Sequence, residues 1–78
     1  MAKIISNIGK RRGYFELGHN DKGTEHYAFA RVILLGEDGQ MLRIEKPILT
    51  YSHNRDEAFE MCTDAIKQRN DAVHPAKN

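Results

Sequence analysis

The chain has 78 residues, which is enough for one small domain and too few for a second domain or a long repeat array. Twelve Lys and Arg residues nearly balance eleven Asp and Glu residues, 40% of the residues are hydrophobic, and the formal net charge is +1. This composition is typical of a globular domain, and it argues against a disordered chain, a fibrous chain and a strongly basic nucleic-acid binder.

The first twelve residues contain three isoleucines followed by a basic run, and they are predicted to form an N-terminal arm or a short strand. Because the basic residues follow the apolar ones, this segment lacks the order of a secretory signal. No apolar stretch reaches the roughly 18 residues that a membrane span needs. The single cysteine, Cys62, cannot form an intramolecular disulfide. These features favour a cytoplasmic location.

Clusters of Gly, Asn and Asp divide the middle of the chain into segments rich in aromatic and β-branched residues. These segments have no helical period, which is typical of strands. The second one, if it is extended over 25–35, spans about 36 Å and is expected to overhang its neighbours with a free edge. The predicted boundaries are a basic connector at 9–13, turns at 20–23 and 36–39, and strands at 14–18, 24–35 and 40–46, with Pro47 ending the last strand.

One helix is predicted after the strands, with Asn54 as N-cap and Glu57 as its capping-box partner. Apolar residues then recur at spacings of three and four and form one stripe. Residues 71–78 contain little to bury and are predicted to be a flexible tail. Residues 1–70 are therefore predicted to form one α+β domain, a three- to four-stranded antiparallel meander sheet packed on one C-terminal helix. The stripe comprises Ala58, Phe59, Cys62, Ala65 and Ile66.

The first turn decides which side chains share a face of the sheet. The sequence Asn-Asp-Lys-Gly-Thr resembles a three-residue hairpin loop, which sets Asn20 opposite Thr24. For the second turn, a two-residue and a four-residue loop give the same sorting. Arg31 then falls on the core face, a conflict that a β-bulge or an edge position would resolve. The predicted core face, which the helix should cover, carries Phe15, Leu17, Tyr27, Phe29, Ile33, Leu35, Leu42 and Ile44.

The predicted opposite face carries an apolar strip where a solvated sheet face normally alternates to polar residues. Either the N-terminal arm or another protein, including a second copy, is expected to cover it. We therefore predict a non-catalytic protein-binding or regulatory module that acts through this sheet face or a strand edge, as small regulators, phage-type inhibitors or homodimers do. The candidate protein-binding residues are Tyr14, Ala28, Ala30, Val32, Leu34 and Arg43.

Charge is unevenly distributed along the chain and provides an alternative prediction. Residues 1–31 carry six basic and three acidic side chains, whereas residues 32–78 carry six and eight. A basic edge beside aromatic residues grips phosphates and stacks on bases. The alternative is therefore an accessory protein that binds nucleic acid through Lys10, Arg11, Arg12 and Lys22.

Patterns typical of enzymes are missing from the sequence. Neither of the two serines lies in a nucleophile-elbow motif, and there is no Gly-rich phosphate loop. Cys62 falls on the apolar stripe of the helix, where a structural role outweighs a nucleophilic one. The four histidines form neither an H-x-H pair nor a helical i, i+4 pair. We predict a protein that is not an enzyme and holds no cofactor or metal.

Two local patterns resemble known families. The sequences Asp-Glu-Ala-Phe at 56–59 and Asp-Ala-Ile at 64–66 are similar to the helix of HicB-type antitoxins, and the preceding strands agree with that fold. Three strands followed by a helix resemble the C-terminal portion of a double-stranded-RNA-binding domain, which implies RNA binding. Arg-Asp-Glu at 55–57 replaces the lysine-rich helix start that this second family uses on phosphate. The patterns assign the chain to neither family.

Overall fold

A computed structural model describes residues 2–72, which form four strands and one helix. The strands pair antiparallel in the order of the chain, so that each hairpin joins two neighbours. The predicted α+β fold class is confirmed, with the N-terminal segment supplying the fourth strand. The strands are β1 (Ala2–Ile8), β2 (Arg11–His19), β3 (His26–Leu35) and β4 (Met41–Ser52), and the helix is α1 (Arg55–Ala72).

The loop between β1 and β2 is shorter than predicted. Only Gly9 and Lys10 lie outside the two strands, and Ile8 pairs directly with Arg11. Gly9 has a φ of +60°, a left-handed conformation that two-residue hairpin loops require and that costs glycine least. The predicted basic connector at 9–13 is therefore wrong over its last three residues, which belong to β2.

Six residues, 20–25, lie between β2 and β3, and four of them, 21–24, lie inside the Asn20–Glu25 hydrogen bond, where three were predicted. The Asn20 backbone N–H donates to the Glu25 carbonyl over 3.0 Å, and His19 pairs with His26. The Asn20 side-chain Oδ1 accepts hydrogen bonds from the N–H groups of Thr24 (3.0 Å) and Glu25 (3.2 Å). These bonds place Thr24 inside the loop, and the one-residue slip turns every β3 side chain to the other face.

The core face of the sheet consequently differs from the prediction. Phe15 and Leu17 lie opposite Ala30 and Ala28, and not opposite Phe29 and Tyr27. Helix α1 packs on this side, which we call the helix-covered face. Tyr27, Phe29 and Ile33 were wrongly assigned to it because of the register error between β2 and β3. Ile44 was wrongly assigned with them, since it pairs with Ile33 as predicted. The buried cluster comprises Phe15, Leu17, Ala28, Ala30, Val32, Ala58, Cys62 and Ile66.

Strand β4 continues through Pro47, which was wrongly predicted to end it. The register of β3 against β4 shifts between Ala30 and Val32, so that Arg31 faces two β4 residues, Lys46 and Pro47. Proline is tolerated here because β4 lies at the edge of the sheet and the position is a β-bulge. β3 lies between β2 and β4 and offers no free edge, contrary to the expected overhang.

Helix α1 begins with Asn54 as its N-cap, as predicted, but the prediction of Glu57 as its capping-box partner is wrong, because the Asn54 N–H donates to the Ser52 hydroxyl over 3.3 Å. The Glu57 N–H donates to Asn54 Oδ1 over 3.1 Å, and the Glu57 carboxylate accepts a hydrogen bond from the Ser52 hydroxyl. The helix extends to Ala72, two residues beyond the predicted domain end, and the remaining part of the predicted tail, 73–78, lies outside the described residues. The predicted stripe faces the sheet, with its three most buried members at Ala58, Cys62 and Ile66.

Candidate binding surface

The second face of the sheet has no covering element among residues 2–72, because α1 packs on the other side. We call it the open face. Its side chains alternate along each strand with those of the helix-covered face, as the pleat requires. They belong to Lys3, Ile5, Asn7, Arg12, Tyr14, Glu16, Tyr27, Phe29, Arg31, Ile33, Ile44, Leu49 and Tyr51.

The open face exposes large apolar side chains that a small domain normally buries. Ile44 is 79% exposed and Ile5 is 66% exposed, and Leu49 and Tyr51 are each at least half exposed. By contrast, Ala28 on the helix-covered face is fully buried. The four exposed residues lie on the two edge strands, Ile5 on β1 and the other three on β4. Exposed apolar side chains that share one face of a sheet make that face a candidate interaction surface.

The open face is also cationic. Lys3, Arg12 and Arg31 lie on it with a single carboxylate, that of Glu16. The Arg12 guanidinium donates to Asn7 Oδ1 over 2.9 Å and to the Tyr14 hydroxyl over 3.3 Å, so it lies along the sheet surface. A depression of about 520 Å³ lies in this face. Its lining includes Lys3, Ile5, Tyr14, Glu16, Arg31, Ile33 and Ile44.

The predicted protein-binding residues do not form one accessible surface. Ala28, Ala30 and Val32 are fully buried beneath α1, so the strip that was predicted to meet a partner instead meets the helix. Leu34 and Arg43 are paired with each other on the helix side of the sheet, and Arg43 is exposed. Of the predicted set, only the half-buried Tyr14 lies on the open face. The cause is again the register of β2 against β3.

The predicted nucleic-acid patch is also dispersed. Lys10 lies in the β1–β2 loop, and Arg11 and Arg12 project to opposite faces because they are consecutive in β2. Lys22 lies in the loop at the other end of β2, about 30 Å away along an extended strand of this length. Arg12 alone of the four joins the open face.

Arg11 has a structural role that removes it from any binding patch. Its Nε and Nη2 donate to the two Glu45 carboxylate oxygens over 2.6 and 3.0 Å, and its Nη1 donates to Asn70 Oδ1 over 2.7 Å. Asn70 in turn donates to the Ile8 carbonyl over 2.8 Å. The hydrogen bonds from Arg11 lower the pKa of Glu45, although burial of the carboxyl opposes them. This cluster joins β1, β2, β4 and α1.

A second concave region lies on the helix side, between the end of α1 and the β3–β4 loop, and has a volume of about 890 Å³. Leu34 and Arg43 of the predicted protein-binding set line it. Its rim carries charges of both signs, including Lys10 and Asp71. A mixed rim provides no preference for one class of partner, so the open face is the stronger candidate surface.

Reactive groups within the described part of the chain do not converge on a site. Cys62 is buried, and its burial raises the pKa of the thiol, which disfavours the nucleophilic thiolate. No group of three or more His, Cys, Asp or Glu side chains among residues 2–72 is arranged to hold a metal ion. Within the same residues, no helix is both long enough and apolar enough to cross a membrane.

Comparison with known proteins does not place the chain in a family. Neither the family models, nor the curated proteins, nor the solved structures that were compared with it match the chain. The resemblances of the helix to an antitoxin and of the strand–helix order to an RNA-binding domain therefore remain local.

Proposed function

We propose that the chain is a non-catalytic binding module that docks another protein on its open face. The observation that carries the proposal is the exposure of Ile44, which lies on the edge strand β4, pairs with Ile33 of β3 and is 79% exposed on the face that α1 does not cover. Exposed aliphatic residues on a flat sheet are costly in water, and a partner that covers them gains the hydrophobic free energy.

The size and composition of the open face suit a protein partner. The molecule measures 44 × 28 × 16 Å, and its two longer extents are sufficient for the about 800 Å² per partner that a standard interface buries. Tyr, Arg and large aliphatic residues are typical of the centres of such interfaces. Tyr14, Tyr27 and Tyr51, all the tyrosines of the chain, lie on this face.

A regulatory or inhibitory role in the cytoplasm is part of the same proposal. A small module that acts by occupying a surface needs a docking face and no catalytic groups. Cys62 is free and buried, as expected for a chain in a reducing compartment.

The test compares two exposed apolar residues on opposite sides of the molecule. Ile44→Glu places a charge on the open face, and Met61→Glu places the same charge at a 44% exposed position on α1. Both variants should keep the wild-type circular dichroism. Affinity capture from native lysate should lose its specific partners with Ile44→Glu and keep them with Met61→Glu.

Two results would contradict the proposal. Partners kept by Ile44→Glu and lost by Met61→Glu would place the binding surface on the helix. Partners kept by both variants would show that neither surface carries recognition. Sedimentation over a range of concentrations tests whether the partner is a second copy of the chain. A dimer that forms through the open face should dissociate in the Ile44→Glu variant and persist in Met61→Glu.

Nucleic acid is the second candidate partner, favoured by the presence of Lys3, Arg12 and Arg31 beside Tyr14 on one face. Cations that hold phosphates beside aromatic rings that stack on bases are the usual elements of single-strand binding. Fluorescence anisotropy with labelled oligo(dT) and oligo(U) tests it. Salt-sensitive binding that Arg12→Glu weakens, and that the exposed helix variant Arg55→Glu retains, would support this candidate.

A further inference from the structure

The six arginines of the chain all lie within residues 2–72, and five of them have polar partners there. Arg11, Arg43 and Arg69 contact Glu45, Arg12 contacts Asn7 and Tyr14, and Arg55 contacts Asp56. Arg31 alone makes no side-chain hydrogen bond, and no carboxylate oxygen of a described residue lies within 4.0 Å of its guanidinium nitrogens. It is the exception among otherwise paired side chains.

The position of Arg31 is equally unusual. It lies on the central strand β3, opposite Tyr14 on β2 and beside the β4 bulge, and it lines the depression of the open face together with Ile33 and Ile44. Glu16 lines the same depression without forming an ion pair with it. An arginine is normally placed among apolar side chains to meet a planar anion, because its guanidinium presents a fork of donors.

Charge argues against a second copy as the occupant. In a two-fold interface the same patch is present on both sides, so two copies of a patch with three cations, Lys3, Arg12 and Arg31, and one carboxylate, Glu16, would be brought together. This excess of like charge opposes association. The occupant should therefore be acidic.

We propose that the open face receives an acidic protein segment. Arg31 binds a carboxylate of that segment, and apolar side chains of the same segment cover Ile5, Ile44 and Leu49. The inference rests on the proposed function and adds the chemistry of the partner. A carboxylate accepts two parallel hydrogen bonds from a guanidinium, which fixes the register of the segment on the sheet. The apolar contacts supply the free energy, and the ion pair supplies selectivity.

The neighbouring side chains favour a protein carboxylate over a nucleic-acid phosphate. Bases stack on exposed aromatic planes. Of the four large hydrophobic side chains on the open face that are at least half exposed, three are aliphatic and only Tyr51 is aromatic. Aliphatic surfaces match the side chains of a protein segment, and Arg12, a further basic group on this face, is already engaged with Asn7 and Tyr14.

The experiment is a selection of peptides from a displayed random library against the immobilised full chain. Wild type, Ile44→Glu, Arg31→Glu and the matched control Arg55→Glu are used in parallel; Arg31 and Arg55 are both exposed arginines, so their variants should fold. Wild type and Arg55→Glu should enrich peptides that carry Asp or Glu beside apolar residues. A synthetic copy of an enriched peptide should bind Arg31→Glu about tenfold or more weakly, as loss of a charge-paired anchor predicts.

The outcomes separate the inference from the proposed function. One outcome would overturn the acidic partner and leave the open face as the binding surface. In that outcome the enriched peptides lack acidic residues, bind Arg31→Glu as tightly as wild type, and do not bind Ile44→Glu. Peptides that bind all four proteins equally would overturn both, as would a library that enriches nothing. If oligo(dT) binds in an Arg31-dependent manner and no acidic peptide is enriched, the partner is nucleic acid and the inference is wrong.

Discussion

The helix-covered face and the open face of this sheet differ in the size of the side chains that they carry. On β3, the residues beneath α1 include Ala28 and Ala30, whereas the residues that project the other way include Tyr27 and Phe29. A helix can approach a sheet closely only where small side chains leave room, and the interior is then filled at close-packed density. On β3, side-chain size is therefore a poor guide to the face on which a residue lies, because the two aromatic residues project away from the helix.

The largest expected effect comes from truncating the most buried aromatic ring between sheet and helix. Phe15 is 1% exposed, and its ring contacts Phe59 edge-to-face at 4.9 Å between centroids. Phe15→Ala should lower the free energy of unfolding by about 3–5 kcal/mol. Ile44→Ala on the open face should change it by no more than about 0.5 kcal/mol. Urea unfolding followed by circular dichroism measures both.

The same two variants also test whether the open face is exposed in solution. If Ile44→Ala costs as much as Phe15→Ala, then Ile44 is buried in solution, and the open face is covered by a second copy. Unfolding midpoints that rise with protein concentration would identify that case, because dimers are stabilised by mass action.

The next effect concerns the ionic cluster at the helix end. Glu45→Gln leaves the guanidinium of Arg11 buried without its bidentate carboxylate, which should cost about 3 kcal/mol. The folded-state pKa of Glu45 is lowered, so its contribution is present above the ordinary glutamate pKa and is lost as the pH falls through the folded value. The difference between wild type and variant should therefore shrink with acidification in urea titrations. Glu37→Gln in the exposed β3–β4 loop is the control. An equal loss of stability in this control would contradict the stabilising role of the Glu45 carboxylate.

Two glycines on β2 allow the packing of the two faces to be compared directly. A Cβ at Gly13, on the helix-covered face, would lie 2.5 Å from Phe15 Cζ and 3.1 Å from Ile66 Cδ1. A Cβ at Gly18, on the open face, would lie 2.5 Å from Tyr27 Cζ, the far end of a half-buried side chain on the face that α1 does not cover. Gly13→Ala should therefore cost about 1–3 kcal/mol and Gly18→Ala clearly less. Thermal unfolding of the two variants measures both costs. A larger loss of stability in Gly18→Ala than in Gly13→Ala would show that the Tyr27 ring is fixed by a covering group.

Elements with local signals could be predicted from the sequence. The Asn54 cap and the period of the apolar stripe located the helix, and the Gly and Asx clusters located the strands, because these patterns depend on neighbouring residues alone. The register of β2 against β3 could not be predicted, because it depends on whether Thr24 lies inside a loop. That choice rests on side-chain hydrogen bonds from Asn20.

The candidate site was missed for the same reason, although the sequence contained a warning. With the predicted register, Arg31 projects into the core face, which is a conflict. A slip of one residue removes the conflict, exposes Arg31 and moves Phe29 and Ile33 to the open face with it. The misplaced charge was therefore evidence for the register, since burying an unpaired guanidinium is more costly than moving two apolar side chains to a face without a covering helix.

The smallest effect tests what holds that register. Asn20→Ala removes the acceptor of two backbone N–H groups in an exposed loop and should cost about 1 kcal/mol, whereas Asp21→Ala in the same loop should cost almost nothing. NMR contacts across the hairpin should still pair His19 with His26 in both variants. A slip would force Tyr27 and Phe29 beneath α1, where only alanines fit, so the packed face should maintain the pairing after its loop bonds are gone. Contacts that instead pair Asn20 with Thr24 would show that the loop selects which face of β3 is left open.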